Sequence, residues 1–247
     1  MSTIGSDTLT TRIPVMLAII QEPNADLLLR HAAQHLGEKI RDVLARRGRA
    51  NIAVPGGRSV ATIFQMLRQE KIDWSRVHFF VIDERLVPLD HPDSNYHLLK
   101  DHLVAPLAKE GAISPENAHP FIVDPAVPDR GARAYEAVLA DHGFWFDIIL
   151  LSSGEDGHVG ALFPGHHSVR DAHHGFIVMD DSPKPPAERM TSSLSLMLTA
   201  EIGVLLFVGE AKREAFVKFN DPAISATNCP AKLVIGMKNA TVFTDLD

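Results

Sequence analysis

Residues 147–165 read DIILLSSGEDGHVGALFPG. An apolar run, Ile148 to Leu151, stops at Ser152 and Ser153, and Gly154, Asp156, Gly157 and His158 follow. Apolar residues resume with Val159, Ala161, Leu162 and Phe163. An apolar run without polar alternation, closed by turn residues, reads as a strand buried on both faces. The stretch therefore puts two glycines, two acids and a histidine at the end of a buried strand.

The same kind of strand recurs on either side. NIAVP (51–55) stops at Pro55, VHFFVI (77–82) is followed by Asp83, and IGVLLFVG (202–209) and AKLVIGM (231–237) read as later strands. Helical patterns separate them. Asn24 and Asp26 open one in which Leu28, Ala32, Leu36, Ile40 and Val43 recur at spacings of three and four. RSVATIFQML (58–67) puts Ile63, Phe64 and Leu67 on one side, and SNYHLLKDHLVAPL (94–107) has Ser94 as its N-cap. DRGARAYEAVLADHG (129–143) ends at Gly143, and EAKREAFVKF (210–219) is a further helix. Strands alternating with helices predict an α/β fold: a mostly parallel twisted sheet with helices on both faces. No segment is biased enough to be a linker and no repeat is evident, so residues 1–247 are expected to form one domain. Ligands of such sheets bind at the carboxyl ends of the strands. The loops after Val54, Ile82, Leu151 and Val208 are then the ones that carry function.

Composition narrows the function. The chain has 24 basic and 31 acidic residues, a formal net charge of −7. That balance argues against a nucleic-acid or membrane-surface partner, which calls for a basic face. It leaves room for a small anion held by a few local cations. The single cysteine, Cys229, precedes Pro230 and reads as a small packing residue, compatible with a reducing compartment. RIPVMLAII (12–20) is short, and QEPNADLLLR follows it instead of a small-residue cleavage site. No stretch reaches the roughly 20 apolar residues of a membrane span. The expectation is a cytoplasmic protein, a monomer or weak dimer.

Each strand-end loop carries groups suited to an anion or to proton transfer. In Pro55-Gly56-Gly57-Arg58-Ser59, glycines let the backbone approach a ligand, and free N–H groups at the following helix start attract anions. A tight turn alone would also call for glycine there. Neither a P-loop spacing nor G-x-G-x-x-G after a strand is present, so no nucleotide cofactor is indicated. In the second loop, Asp83, Glu84 and Arg85 either form a local ion pair or offer the planar guanidinium fork that suits phosphate. In the third, Asp156 reads as a cap and His158 as either a core histidine or a general base. An unperturbed pKa of about 6.5 suits that base, with Asp156 orienting it. The fourth region supplies Lys184 and Arg189 in a proline-rich loop, and Lys212 at a helix start. The 13 histidines show no H-E-x-x-H pattern, and one cysteine rules out a Cys–His zinc set, so no metal is expected.

Together these loops resemble the 6-phosphogluconolactonases. GGRS (56–59), DERLVPLDHPDSNY (83–96), GEDGHVGALFPG (154–165), PKPPAERMT (183–191) and GEAKREAF (209–216) occur in that family's order, from about Asn51 to the closing ATVFTDLD. The resemblance implies a Rossmann-like three-layer fold and hydrolysis of 6-phospho-D-glucono-1,5-lactone to 6-phosphogluconate, in the oxidative pentose phosphate pathway, without a cofactor. It implies that Gly56, Gly57, Arg58 and Ser59 face the phosphate. Arg85, Lys184, Arg189 and Lys212 would be cationic partners, and His158 the general base with Asp156 beside it. Three departures from the family pattern stand out. Ser152 and Ser153 stand at the start of the glycine-containing stretch, and Val159-Gly160-Ala161 lacks both the hydroxyl usual directly after the histidine and the one usual directly before Leu-Phe-Pro. Two alternatives remain open. One is an amino-sugar 6-phosphate isomerase/deaminase, whose family reads more like DEY where this chain has DER. The other is a non-catalytic sugar-phosphate effector domain, although no basic recognition helix precedes the glycine loop.

Overall fold

The computed structural model describes residues 16–247; the Arg12–Val15 part of the first apolar run lies outside the described residues. Strand β1 (Met16–Gln21) leads to helix α1 (Ala25–Arg47), whose N-cap Asn24 accepts from the Leu27 N–H. β2 (Ala50–Val54) is followed by α2 (Arg58–Leu67), then β3 (Val77–Val81) and the short β4 (Asp83–Arg85). α3 (Asn95–Leu99) continues through one π-helical turn into α4 (Ala105–Lys109), with Ser94 as N-cap. β5 (Ala118–His119), α5 (Ala132–Asp141) and β6 (Ile148–Ser152) come next. β7 (Phe176–Met179), β8 (Arg189–Ser192), α6 (Leu194–Met197), β9 (Ile202–Phe207), α7 (Arg213–Asn220) and β10 (Asn239–Thr244) complete the chain.

Seven strands form one parallel sheet in the order β1-β10-β9-β6-β2-β3-β5. Its strands are apolar on both sides because both sides are covered. In β6, Ile149 and Leu151 belong to the core under α5 and α7, whereas Ile148 and Leu150 belong to the core under α1 and α2. Full burial of each such side chain contributes about 1.5–3 kcal/mol.

The strand order reverses between β2 and β6: the chain runs outward from β2 through β3 to β5, then returns to β6 and proceeds the other way. These two strands share only the pairs Ile52–Ile148 and Ala53–Ile149, against five pairs between β6 and β9. Their carboxyl ends part, leaving a crevice at the point where open α/β sheets take their ligands.

Two expectations need correction. AKLVIGM is not a strand: Pro230–Gly236 form a 3-10 helix whose Ala231, Leu233 and Val234 are buried. Periodicity cannot separate a short apolar strand from a short buried helix. Pro230, in the first helical turn where its missing N–H costs nothing, was the discriminating signal. The last strand is Asn239–Thr244 instead. The second correction is a separate antiparallel sheet, β4-β8-β7, which was not anticipated. It places Arg189 on a strand rather than in the proline-rich loop. Among the described residues no helix is long and apolar enough to cross a membrane.

Candidate active site

A cleft of about 410 Å³ opens above the parted ends of β2 and β6. Gly56, Gly57, Arg85, Lys184, Arg189, Lys212 and His158 all line it. Arg58 and Ser59 do not: they form the first turn of α2, and Arg58 is exposed to solvent. A larger cavity of about 510 Å³ lies at the opposite, amino ends of β9 and β10 and includes none of these residues.

The glycine loop fits the cleft by close approach. A Cβ on Gly56 would stand 1.8 Å from Asn95 Oδ1, and Gly57 has φ +118°, a region that favours glycine. Gly57 is also the N-cap of α2 and brings no side chain to the helix's first N–H groups. Asn95, absent from the sequence reading, is buried, lines the cleft and donates from Nδ2 to the Asp83 carbonyl at 2.7 Å. Its signal was the DSNY segment, where it directly follows the N-cap.

The small sheet brings the two arginines together. Arg85 on β4 and Arg189 on β8 are directly opposed in the antiparallel register. Opposed like charges destabilise a strand pair unless something neutralises them. Asp83 does so in part, with its Oδ2 3.8 Å from Arg189 Nη1. Arg189 is buried and further held by the Pro185 and Pro186 carbonyls at 3.0 and 3.1 Å. Burial lowers its pKa from the usual value, Asp83 raises it, and the neighbouring Arg85 lowers it again. Arg85 donates from Nη1 to the Asp93 carbonyl, but its buried Nε has no hydrogen-bond partner among the described residues. Two facing guanidiniums, one with an unspent donor, form a site complementary to an anion.

Glu84 turns out to be the anchor of this region. Only 1% exposed, it accepts the N–H groups of Arg85, Asn95 and Tyr96 and the hydroxyl of Ser94, all at 2.8–2.9 Å. One carboxylate thus ties the start of α3 to β4. Burial pushes its pKa up, and the four hydrogen bonds pull against that shift.

The β6 loop closes tightly. Gly154 N–H donates to the His158 carbonyl at 2.8 Å and Gly157 N–H to the Gly154 carbonyl at 3.1 Å. Gly157 has φ +94°. The His158 ring lies directly over Gly154, where a Cβ would come within 2.0 Å of its Nδ1 and Cε1. Asp156 Oδ1 accepts the His158 N–H at 3.1 Å and pairs with Nδ1 at 2.6 Å. Phe163 supports the ring at a centroid distance of 4.8 Å. Nε2 makes no hydrogen bond to the described residues. Asp156 does not itself line the cleft; it fixes the residue that does. Burial of the Asp156 carboxyl acts to raise its pKa. The hydrogen bond and charge of His158, with Lys184 Nζ at 3.8 Å, outweigh it and hold the carboxyl well below the ordinary range.

Lys212 sits where a 3-10 turn enters α7, behind Gly209, whose N–H is held by the Asp245 carboxylate at 2.9 and 3.1 Å. Burial lowers the Lys212 pKa; Glu155 opposes the shift, and Lys184 and Arg58 add to it. Arg85, Lys184, Arg189 and Lys212 face the acids Asp83 and Glu155 across the cleft lining. The arrangement combines local positive charge with an imidazole whose one nitrogen is fixed and whose other is open.

The family model described as "Glucosamine-6-phosphate isomerases/6-phosphogluconolactonase" matches residues 23–243. A 6-phosphogluconolactonase of Borreliella burgdorferi is 30% identical over 79% of this chain and 83% of its own length. One of Synechocystis sp. is 30% identical over 85% of this chain and 88% of its own. The crystal structure of 6-phosphogluconolactonase from Thermotoga maritima superposes with a TM-score of 0.77 at 24% identity, covering 94% of this chain and 99% of that one. A monomeric glucosamine-6-phosphate deaminase has a TM-score of 0.73 at 20% identity, covering 93% of this chain and 97% of its own, so the fold alone does not choose between the two activities.

Proposed function

The chain belongs to the glucosamine-6-phosphate isomerase/6-phosphogluconolactonase family, and from that premise we propose that it hydrolyses 6-phospho-D-glucono-1,5-lactone to 6-phospho-D-gluconate, with His158 as general base. The observation that carries the role of His158 is its pairing with Asp156. An imidazole whose Nδ1 is held at 2.6 Å by a carboxylate keeps its proton there and presents Nε2 as the basic atom. Nε2 takes a proton from water as the water oxygen bonds to the lactone carbonyl carbon. The C=O electrons become an oxyanion, and Asp156 stabilises the imidazolium. Collapse of the tetrahedral intermediate breaks the bond to the ring oxygen, which recovers the proton from His158. The product acid then ionises in solution. Positioned acid–base catalysis of this kind contributes about 10²–10⁴-fold.

In this reading the phosphate sits against Arg85, Arg189 and Lys212 and the N-terminus of α2. Its binding energy orients a carbonyl that reacts elsewhere in the cleft. Lys184, beside Asp156 and lining the cleft, is a donor for the oxyanion.

The lactone opens in water unaided, so the test measures acceleration. Glucose-6-phosphate dehydrogenase coupled to 6-phosphogluconate dehydrogenase should show a faster second NADPH phase when this protein is added. His158→Ala should return that phase to the spontaneous rate while leaving the fold intact. Near-wild-type turnover by this variant would remove His158 from the mechanism, and ammonia release from glucosamine 6-phosphate would favour the deaminase reading.

A further inference from the structure

Three histidines remote in sequence, His78, His119 and His142, meet on the α5 side of the sheet. His78 lies on β3 and His119 on the edge strand β5, where it registers with Phe80. His142 is the C-cap of α5. The ring centroids are 4.2 Å apart for His78 and His142, 4.8 Å for His119 and His142, and 5.4 Å for His78 and His119. One ring nitrogen of each lies within 4.8 Å of the other two. His78 Nδ1 and His119 Nε2 are 3.2 Å apart, and the buried His142 Nδ1 has no hydrogen-bond partner among the described residues.

We propose that His78, His119 and His142 form a binding site for one borderline divalent transition ion of the zinc class. Two imidazole nitrogens at about 2.0–2.1 Å from a tetrahedral ion stand about 3.4 Å apart. The His78–His119 pair already has nearly that spacing, so closing the site requires ring rotation rather than backbone movement. One nitrogen of the His142 ring supplies the third ligand, and the unpartnered Nδ1 of that ring is a buried polar atom of the kind that calls for an explanation. Three neutral imidazoles select Zn²⁺, Co²⁺, Ni²⁺ or Cu²⁺ over the oxygen-seeking Mg²⁺ and Ca²⁺. The rings are only partly buried, so water completes the coordination. No carboxylate ligates, and Arg49 donates to the His142 carbonyl at 3.0 Å, so the local charge weakens the site and binding is reversible. His78 precedes the end of β3 at Val81 by three residues, about 10 Å of strand rise, which separates the ion from the catalytic cleft. The ion would act as a clasp, joining the two-residue β5 and the end of α5 to β3.

Phe80 also stacks on His119 at 4.5 Å and meets His142 edge-on at 5.6 Å, and His78 and His119 can share a hydrogen bond, so packing with that hydrogen bond is the competing account. The experiment separates the two. The purified, metal-free full chain is titrated with ZnCl₂ by calorimetry at neutral pH, and with CoCl₂ by visible absorption. The wild type should bind one equivalent of Zn²⁺, gain thermal stability with it, and give the strong absorption of low-coordinate Co²⁺. His119→Phe and His142→Phe keep the stacking but remove the nitrogens, and each should weaken Zn²⁺ binding at least ~10-fold. His167→Ala should not, although His166, His167 and Asp181 form a second grouping of ligand atoms. If a variant fails to fold, zinc-edge X-ray absorption on the wild type decides, with three imidazoles expected. No stoichiometric binding, fewer than three imidazoles, or a loss confined to His167→Ala would overturn the proposal.

Discussion

His158 is fixed from three sides: Asp156 at Nδ1, Phe163 against the ring, and the bare Cα of Gly154 beneath it. The glycine requirement is the least visible of these and gives the sharpest test. Gly154→Ala would drive a methyl group into the imidazole, since the Cβ would stand 2.0 Å from Nδ1. The atoms in the way all belong to the His158 side chain and none to the backbone, so the imidazole is what shifts, and we expect kcat to fall at least ~10²-fold, within the range positioned acid–base catalysis supplies, with the thermal midpoint shifted by only a few degrees. A steady-state assay beside a melting curve checks this. Asp156 makes a separate prediction about pH. Its folded pKa lies below the ordinary carboxylate value of 3.8, so below that value the unfolded chain binds protons that the folded chain refuses. The stability Asp156 contributes is complete above that value and is lost as pH falls through the ordinary value and on toward the depressed one. Melting curves from neutral pH downward should therefore show a steeper acid loss for the wild type than for Asp156→Asn. At this scale the sequence was informative. A glycine-flanked Asp-x-His at the end of a buried strand can be read directly as chemistry, because all three features are local. Arg58 and Ser59 could not be placed the same way. Which way the first residues of α2 turn depends on the helix's rotation against the sheet, which their spacing does not encode.

At the scale of elements, the parallel strands were legible because each is a buried apolar run, and the antiparallel β4-β8-β7 sheet was not. β4 is three residues, Asp83–Arg85, all charged, and no hydrophobic pattern announces it. It exists because Glu84 is buried among four donors and because β8 supplies its partner from about a hundred residues away. Glu84→Gln keeps the size but presents an amide where N–H donors converge. It should cost about 2–4 kcal/mol, the range for unsatisfying buried donors to a charged acceptor. Chemical denaturation measures that loss, and an effect under ~0.5 kcal/mol would deny Glu84 its anchoring role. The opposed arginines should then behave differently from each other. Arg189 satisfies two carbonyls and pairs with Asp83, so Arg189→Ala should lower both stability and activity. Arg85 holds one carbonyl and keeps a free donor, so Arg85→Ala should chiefly raise KM for the lactone, by about 10-fold or more if it contributes a charged hydrogen bond of ~1.5–3 kcal/mol.

Over the whole molecule, two fields compete for a phosphorylated substrate. The chain carries a formal charge of −7, which repels a dianion at a distance. The cleft carries Arg85, Lys184, Arg189 and Lys212 against Asp83 and Glu155, which attracts it at close range. The topology explains how both coexist: the strand-order reversal between β2 and β6 collects four loops, distant in sequence, whose cations then act together. Composition alone showed only the repelling field. Salt reports which field governs binding, because exposed charges more than about 10 Å apart are screened at ~0.1 M ionic strength while close contacts in a cleft are screened less. If the cations hold the phosphate, raising ionic strength from about 0.02 to 0.3 M should raise KM severalfold and leave kcat nearly unchanged. Substrate would then bind less tightly but react from the same geometry. Inorganic phosphate should compete with the lactone, and its inhibition should weaken in parallel. A KM that falls with salt would mean that relief of the long-range repulsion dominates, and Arg85, Arg189 and Lys212 would then not be the phosphate site.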